Sequence, residues 1–375
     1  MSRPFAGVED SLAFAEKVFS LLDETRYTTT YKLAVLLALM DLCLENTTAS
    51  GDSPDVVTTR QLAEKVAELY WPHTLPFGSV RTPALLRQGS KGQAEIVSYI
   101  EQFRSRLQDG SVPLIKVRTT ANRAYSRLLD QIEWKLIEMP LPRLQSIGTT
   151  SDRFIYEINW DKEIAYRDVF HYQKRQTGFD NRILLRPRVG EYLVRLNGLL
   201  RPLLHRRWAR MVATFNDQED SRLEEFLFGA QRIDLSPTRT PLWEIQDGRC
   251  FYCQERIRDA KQSHIDHFIP WSRYRENGLA NLVVADAKCN ESKSNSFVAI
   301  EHVDHWLNRF RKQCSIASDL QTLADALRWD LSDQRTLNVT RALYVRLGGE
   351  AKLWRLRNNF VNAEPPRIWK LFSAF

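Results

Sequence analysis

The sequence predicts a mainly α-helical chain with one small α+β module embedded late in it. Three observations carry that expectation. Apolar residues recur at helical spacing over much of the 375 residues, beginning with Leu12, Ala15, Val18, Phe19 and Leu22. Hydrophobic residues make up 43% of the chain, enough to build cores for two or three domains. Residues 249–295 break the pattern: they hold three of the five cysteines, the adjacent pair Asp266-His267, and the asparagines Asn281 and Asn290. The expected division is a helical domain over residues 1–180, an arginine-rich helical connector over 181–238, the module over 239–300 and a helical C-terminal region over 301–375.

Fifty-three Lys and Arg stand against 46 Asp and Glu, a net charge of +7 that allows a polyanionic partner without requiring one. Five cysteines, two of them in a C-x-x-C, are too few and too uneven for a disulfide framework and fit a metal knuckle in a reducing compartment. The N-terminus lacks the basic start, apolar middle and cleavage site of a signal peptide. The most apolar run, Leu33 to Leu44, is too short to span a bilayer and carries Asp41. A cytoplasmic protein with no membrane partner is expected.

Helical spacing covers residues 10–24, with Asp10 or Ser11 as cap, and Tyr31 to Glu45, which is apolar nearly all round and so central to its domain. After a polar loop over 46–55, Thr58-Thr59-Arg60-Gln61 reads as a capping box opening a helix to Trp71. This piece is compatible with a helix-turn-helix, but no base-reading pattern accompanies it and ordinary helical packing accounts for it. Residues 72–92 are broken by Pro and Gly. Helices follow over 93–108 and 121–139, the latter stopped by Pro140 and Pro142, and then one short strand over 154–158.

The stretch from 182 to 210 carries eight arginines against one acid, Glu191. Leu193, Leu196, Leu200, Leu203 and Trp208 are spaced as an apolar helix face, leaving the arginines, Arg206 and Arg207 among them, to meet solvent or to line a groove for phosphates. An acidic helix is expected over 218–228, a linker over 236–240, and a short helix capped by Thr240 with Pro241 at its first position.

Cys250-Phe251-Tyr252-Cys253 offers two thiolates on one tight turn, half of a tetrahedral zinc site. Cys289 is a third ligand. Asp286, three residues before it, or alternatively His264, would close the shell of a structural Zn²⁺, which a small module with little core needs. The second constellation is Asp266-His267 with Asn290. A neutral histidine suits a general base near pH 7, and a hard cation such as Mg²⁺ or Mn²⁺ takes oxygen ligands of the kind Asp266 and Asn290 supply. Neighbours on a strand point to opposite faces, so Asp266 and His267 can serve one phosphate only where the strand ends or bulges.

These residues together resemble the HNH endonucleases. His267 would lie on the first strand, Asn281 in the connection and Asn290 on the helix of a ββα-metal fold, with Asp266 directly before the histidine. The resemblance covers residues 240–300 and implies that His267 is the general base, that Asp266 and Asn290 hold one divalent cation, and that Asn281 orders the loop fixing the histidine. It implies cleavage of double-stranded DNA to 5′-phosphate and 3′-hydroxyl ends, and a place among bacterial restriction or anti-phage defence proteins. A protein or nucleic-acid activator is a further expected partner. The family commonly has cysteine where this chain has Asp286. Arg273 and Arg275 in the loop, and Lys293 one turn beyond Asn290, are candidate DNA-backbone contacts. His302 and His305 are expected to flank a surface without a role. Helices are expected over 319–329 and 333–347, and residues 351–360, with aromatics among basic residues, read as a C-terminal helical cap.

Overall fold

The computed structural model describes residues 8–23, 27–78, 84–107, 112–147, 150–176, 178–219, 222–229, 234–311 and 314–375. The chain is mostly helical with small antiparallel sheets, and it divides into two compact units. One comprises Met1–Cys43 and Ser53–Arg232, the other Leu44–Asp52 and Ile233–Phe375.

The first unit is built on the helix Tyr31–Glu45, whose Leu33, Val35, Leu37 and Leu39 are all fully buried. A helix buried on every side has no solvated face for a charge, and Asp41 meets this by pairing with the guanidinium of Arg201, itself fully buried. The helix Thr59–Tyr70 starts with the expected capping box: Thr58 Oγ1 accepts from the Gln61 amide, and the Gln61 side chain accepts from the Thr58 amide. Helices Glu95–Arg104 and Asn122–Glu138 follow as expected, while Leu114–Thr120 is an additional one. The helix Asn122–Glu138 ends before Pro140 as expected, and Pro140 then opens a separate short helix, Pro140–Arg143, because a proline at a first helical position gives up no bonded amide. The first helix, Val8–Asp23, begins ahead of Asp10, which pairs with Arg188 instead of capping.

The expected strand over 154–158 appears as Tyr156–Glu157, at one edge of a three-stranded sheet. Its central strand, Arg182–Leu185, lies in the stretch read as helical; Ile183 and Leu185 alternate into the core while Val56–Thr58 and Tyr156–Glu157 pair on either side. The helical part is Val189–Arg195 and Asn197–Asn216, with Pro202 inside the second. Leu204 takes the buried position expected of Leu203, which is 39% exposed. Several of the arginines are paired with acids: Arg182 with its neighbour Asp180, and, from distant sequence, Arg186 with Glu157, Arg188 with Asp10 and Arg201 with Asp41. Arg206 is exposed, and Arg207 lies over the Tyr27 ring. The stretch is thus less a basic groove than its local sequence implied.

In the second unit the expected linker over 236–240 is helical, part of Ser236–Ile245, with Pro237 in its first turn. Strands His264–His267 and Leu282–Ala285 form an antiparallel hairpin in regular register, Asp266 opposite Val283 and His267 opposite Leu282, and the helix Ala287–Lys293 follows. Helices Ile300–Asn308, Ser315–Leu327 and Asp333–Tyr344 wall the hairpin. Trp306 stacks on Phe268 at 4.8 Å and donates its indole N–H to the Ala280 carbonyl at 2.8 Å. Residues 351–360, read as a helical cap, form a second hairpin instead, Lys352–Leu356 with Asn359–Asn362, followed by the helix Pro365–Phe372. Its first strand docks through Trp354, whose N–H reaches Phe297 and whose carbonyl takes the Ala299 N–H, both at 2.7 Å. Those two bonds favour extended backbone over a helix there. No helix among the described residues is long and apolar enough to cross a membrane.

Two expectations follow. Thr58→Ala removes the side-chain half of the capping box and should cost about 1 kcal/mol in urea unfolding; a loss under about 0.3 kcal/mol would show that the box contributes little. His302 is buried, bonds the Arg355 carbonyl at 2.6 Å, and has its pKa lowered by burial from its ordinary 6.5, as do His267 and His305. A depressed histidine contributes stability above its unfolded pKa and loses it as pH falls from there towards the folded value. The thermal midpoint should therefore drop between pH 7 and 5, and less steeply in His302→Gln.

Candidate active site and metal cluster

The turn that carries the cysteines is set by Gly248. Its φ of +67° is left-handed, and a Cβ there would stand 2.9 Å from the Trp243 ring. Trp243 in turn donates its indole N–H to Ile257 at 3.1 Å, and Ile257 donates to the Gly248 carbonyl at 2.7 Å. Phe251 N–H bonds the Val284 carbonyl at 2.9 Å, fastening the turn to the hairpin. On the helix side, Asp286 is the N-cap of Ala287–Lys293: its Oδ1 accepts from the Cys289 amide at 2.9 Å, while Oδ2 accepts from the Cys253 thiol at 3.2 Å.

The outcome is one cluster. The ligand atoms of Cys250, Cys253, Asp286 and Cys289 all lie within 4.8 Å of one another. A tetrahedral zinc with bonds of about 2.3 Å needs ligands about 3.8 Å apart, so small side-chain movements suffice. His264, the alternative fourth ligand, is exposed and outside the cluster. The protons fit the same picture. The Cys289 thiol bonding to it lowers Cys250, burial pushes Cys253 up to about 12, and the same bond to Cys250 holds Cys289 protonated. A cation is what would let all three sulfurs become thiolates together.

Asp266 and His267 occupy the last two positions of the first strand and turn to different neighbours. Asp266 Oδ2 accepts from the Tyr252 hydroxyl at 2.5 Å and from the Lys293 ammonium at 2.9 Å. Lys293 is fully buried, and its Nζ also donates to the His267 carbonyl at 2.8 Å. The sequence placed this lysine at the DNA backbone; its position one turn beyond Asn290 instead aims it into the hairpin, where Asp266 and a carbonyl replace water. Burial and the Asp266 charge keep the Tyr252 hydroxyl protonated, so it acts as a donor.

On the other side His267 packs on Trp271, and its Nε2 meets Asn277 Oδ1 at 2.8 Å. Asn277 is steadied by its own carbonyl, which accepts the Trp329 indole N–H at 2.7 Å. Burial lowers the His267 pKa, leaving a neutral imidazole at pH 7. Since an amide oxygen only accepts, Nε2 carries the proton and Nδ1 keeps the lone pair. Asn281 is fully buried: its Oδ1 accepts from the Ile269 amide at 2.8 Å and its Nδ2 donates to the Glu276 carbonyl at 3.0 Å. Glu276 is itself anchored by Arg335 at 2.7 Å. Asn290 is half-buried on the helix face shared with Lys293, and its side chain has no hydrogen bond among the described residues.

The two loop arginines lie against rings, Arg273 over Phe297 at 5.3 Å and Arg275 over Trp271 at 5.5 Å, and burial lowers Arg273. Arg206 and Arg207 belong to the first unit. Tyr252 and Asn277 were missed by sequence reasoning. For Tyr252 the only signal was its place between two cysteines; for Asn277 there was none.

The buried ion pair makes a stability prediction. Lys293→Met strands a mostly buried carboxylate and should cost about 3 kcal/mol, with Asp266→Ala at least as costly and Asp266→Asn milder. Thermal unfolding of the three variants checks this; a Lys293→Met protein as stable as wild type would mean that the pair does not form.

Residues 250–299 match the family model of HNH endonucleases, which implies a nucleic-acid substrate. No curated protein matches the chain. Residues 11–227 match the model described as a domain of unknown function, DUF8808, which spans more than half of the 375 residues. The chain therefore belongs to the family of that domain, DUF8808, and carries a segment similar to HNH endonucleases behind it.

Proposed function

We propose that the second unit is a metal-dependent HNH endonuclease of the ββα-metal type that hydrolyses DNA phosphodiester bonds. The observation that carries this is His267: a neutral imidazole at a strand end, its Nε2–H held by Asn277 and its Nδ1 lone pair available, inside the segment that matches HNH endonucleases. That is the arrangement a general base needs to take a proton from water as it attacks phosphorus.

The remaining residues fit a supporting set. Tyr252 and Lys293 both donate to Asp266 Oδ2, which leaves Oδ1 for a hard cation, and the amide oxygen of Asn290 is a second oxygen donor of the right kind. When bound there, Mg²⁺ or Mn²⁺ would neutralise charge building on the phosphate and the leaving oxygen. Asn281 clasps the loop that brings Asn277 to His267. Three cysteines and Asp286 would hold a structural Zn²⁺, soft thiolates selecting it over magnesium. The first unit would engage substrate, partner or activating signal, and restriction or anti-phage defence is the biological setting this reading favours.

A plasmid-nicking assay with Mg²⁺ or Mn²⁺ tests the reading. Wild type should cut, while His267→Ala and Asn290→Ala should each lose about 100-fold or more. Equal cutting by all three would refute the site. Silence from folded wild type would instead point to an effector awaiting its activator, or to a binding module.

A further inference from the structure

We propose that Tyr252 is a positioning residue for the catalytic carboxylate, so that the cysteine turn and the Asp266 site move as one piece. The inference rests on the nuclease reading above and adds a residue and a mechanical link to it.

Tyr252 sits between the two cysteines of the turn and is 4% exposed. Its ring meets Phe251, Trp354 and His302 edge-on at 5.1, 5.2 and 5.4 Å, each at 89°, which leaves it no other rotamer to adopt. Phenylalanine would fill the same space. The hydroxyl therefore has a separate task, and the one partner it meets among the described residues is Asp266 Oδ2 at 2.5 Å. Lys293 donates to that same oxygen, at 2.9 Å. Two donors on one oxygen fix the plane of the carboxylate and turn Oδ1 outward, which is how a partner behind a metal ligand raises affinity.

The link to the cysteines is covalent on one side and hydrogen-bonded on the other. Cys250 and Cys253 flank the Phe251-Tyr252 pair, and Phe251 N–H is bonded to Val284, whose strand partner Ile265 directly precedes Asp266. A turn loosened by loss of its metal would shift the Tyr252 hydroxyl relative to Asp266, although the cysteines never touch that carboxylate.

The experiment is Mn²⁺ titration of the full chain, with free aqueous Mn²⁺ read by electron paramagnetic resonance. The proteins are wild type, Asp266→Asn, Tyr252→Phe, Cys253→Ser and the Tyr252→Phe/Cys253→Ser double variant. Zinc content and thermal midpoint are measured alongside. Wild type should show a site that Asp266→Asn abolishes. Tyr252→Phe should weaken it about 10-fold with zinc content unchanged. In nicking assays the Mn²⁺ half-saturation should rise by a similar factor while the KM for plasmid at saturating metal holds. Cys253→Ser should weaken Mn²⁺ binding in wild type and add little in the Tyr252→Phe background, since both act through one hydroxyl. Wild-type affinity in Tyr252→Phe overturns the positioning role alone. Additive losses in the double variant overturn the link to the turn. Absence of any Asp266-dependent site in wild type overturns the metal reading itself. The binding readout decides among these whether or not the isolated chain cuts.

Discussion

Lys293 carries its ammonium into the interior of the second unit, where an oxygen of Asp266 and the carbonyl of His267 lie within 3 Å of it. Taking such an ion out of water costs several kcal/mol, and the pairing recovers this only while both partners hold their geometry. The pair therefore fixes where the helix Ala287–Lys293 lies on the hairpin, and with it the position of Asn290. The centre of the site is thus also a major structural contact of the module that houses it. Truncating Asp266 leaves a buried, uncompensated ammonium, so under the proposed nuclease reading a loss of activity on truncation would mix chemistry with unfolding. His267, whose imidazole meets a neutral amide, can be removed with far less damage, which makes it the cleaner test of catalysis.

Asp286 shows the same economy of parts. One carboxylate oxygen caps the helix and the other reaches Cys253, so the residue standing where cysteine is common contributes a cap that a thiol would supply poorly. A hairpin of two short strands and a helix of seven residues buries little. Its order comes from groups that each serve two elements: Asp286 joins turn and helix, Tyr252 turn and strand, and Lys293 helix and strand.

Much of this was legible in the sequence where the signal was local. The helix Tyr31–Glu45 and the capping box at Thr58 were readable because spacing and caps are properties of neighbouring residues. The hairpin and the helix behind it were expected from the resemblance to HNH endonucleases. What was not legible depended on partners far away in the chain. Arg182–Leu185 looked like part of a basic helix until strands at 56–58 and 156–157 paired on both its sides. The arginines looked unopposed because Asp10, Asp41 and Glu157 are far off in sequence. Residues 352–362 looked like a basic aromatic helix because nothing local announced that Trp354 would bond to the backbone at 297 and 299. At the site itself the residue types were legible, while the positions of Lys293 and Tyr252 were not, since both are set by the hairpin against which they pack.

The remaining constraint is geometric. Hairpin register stays regular through His267, so Asp266 and His267 present their side chains to opposite faces, one towards Tyr252 and Lys293, the other towards Asn277 and Trp271. On a longer strand they could not serve one phosphate. Here the strand ends at His267: the Phe268 N–H makes one last ladder bond to the Asn281 carbonyl at 2.8 Å, and Asn281 then takes the Ile269 N–H with its side-chain oxygen at 2.8 Å. Its side-chain nitrogen closes the loop at Glu276, beside the Asn277 that orients the imidazole. Asn281 thus controls the angle at which His267 leaves the strand, and under the proposed nuclease reading the approach of His267 and Asp266 to a common phosphate would depend on that buried amide more than on either residue's own backbone.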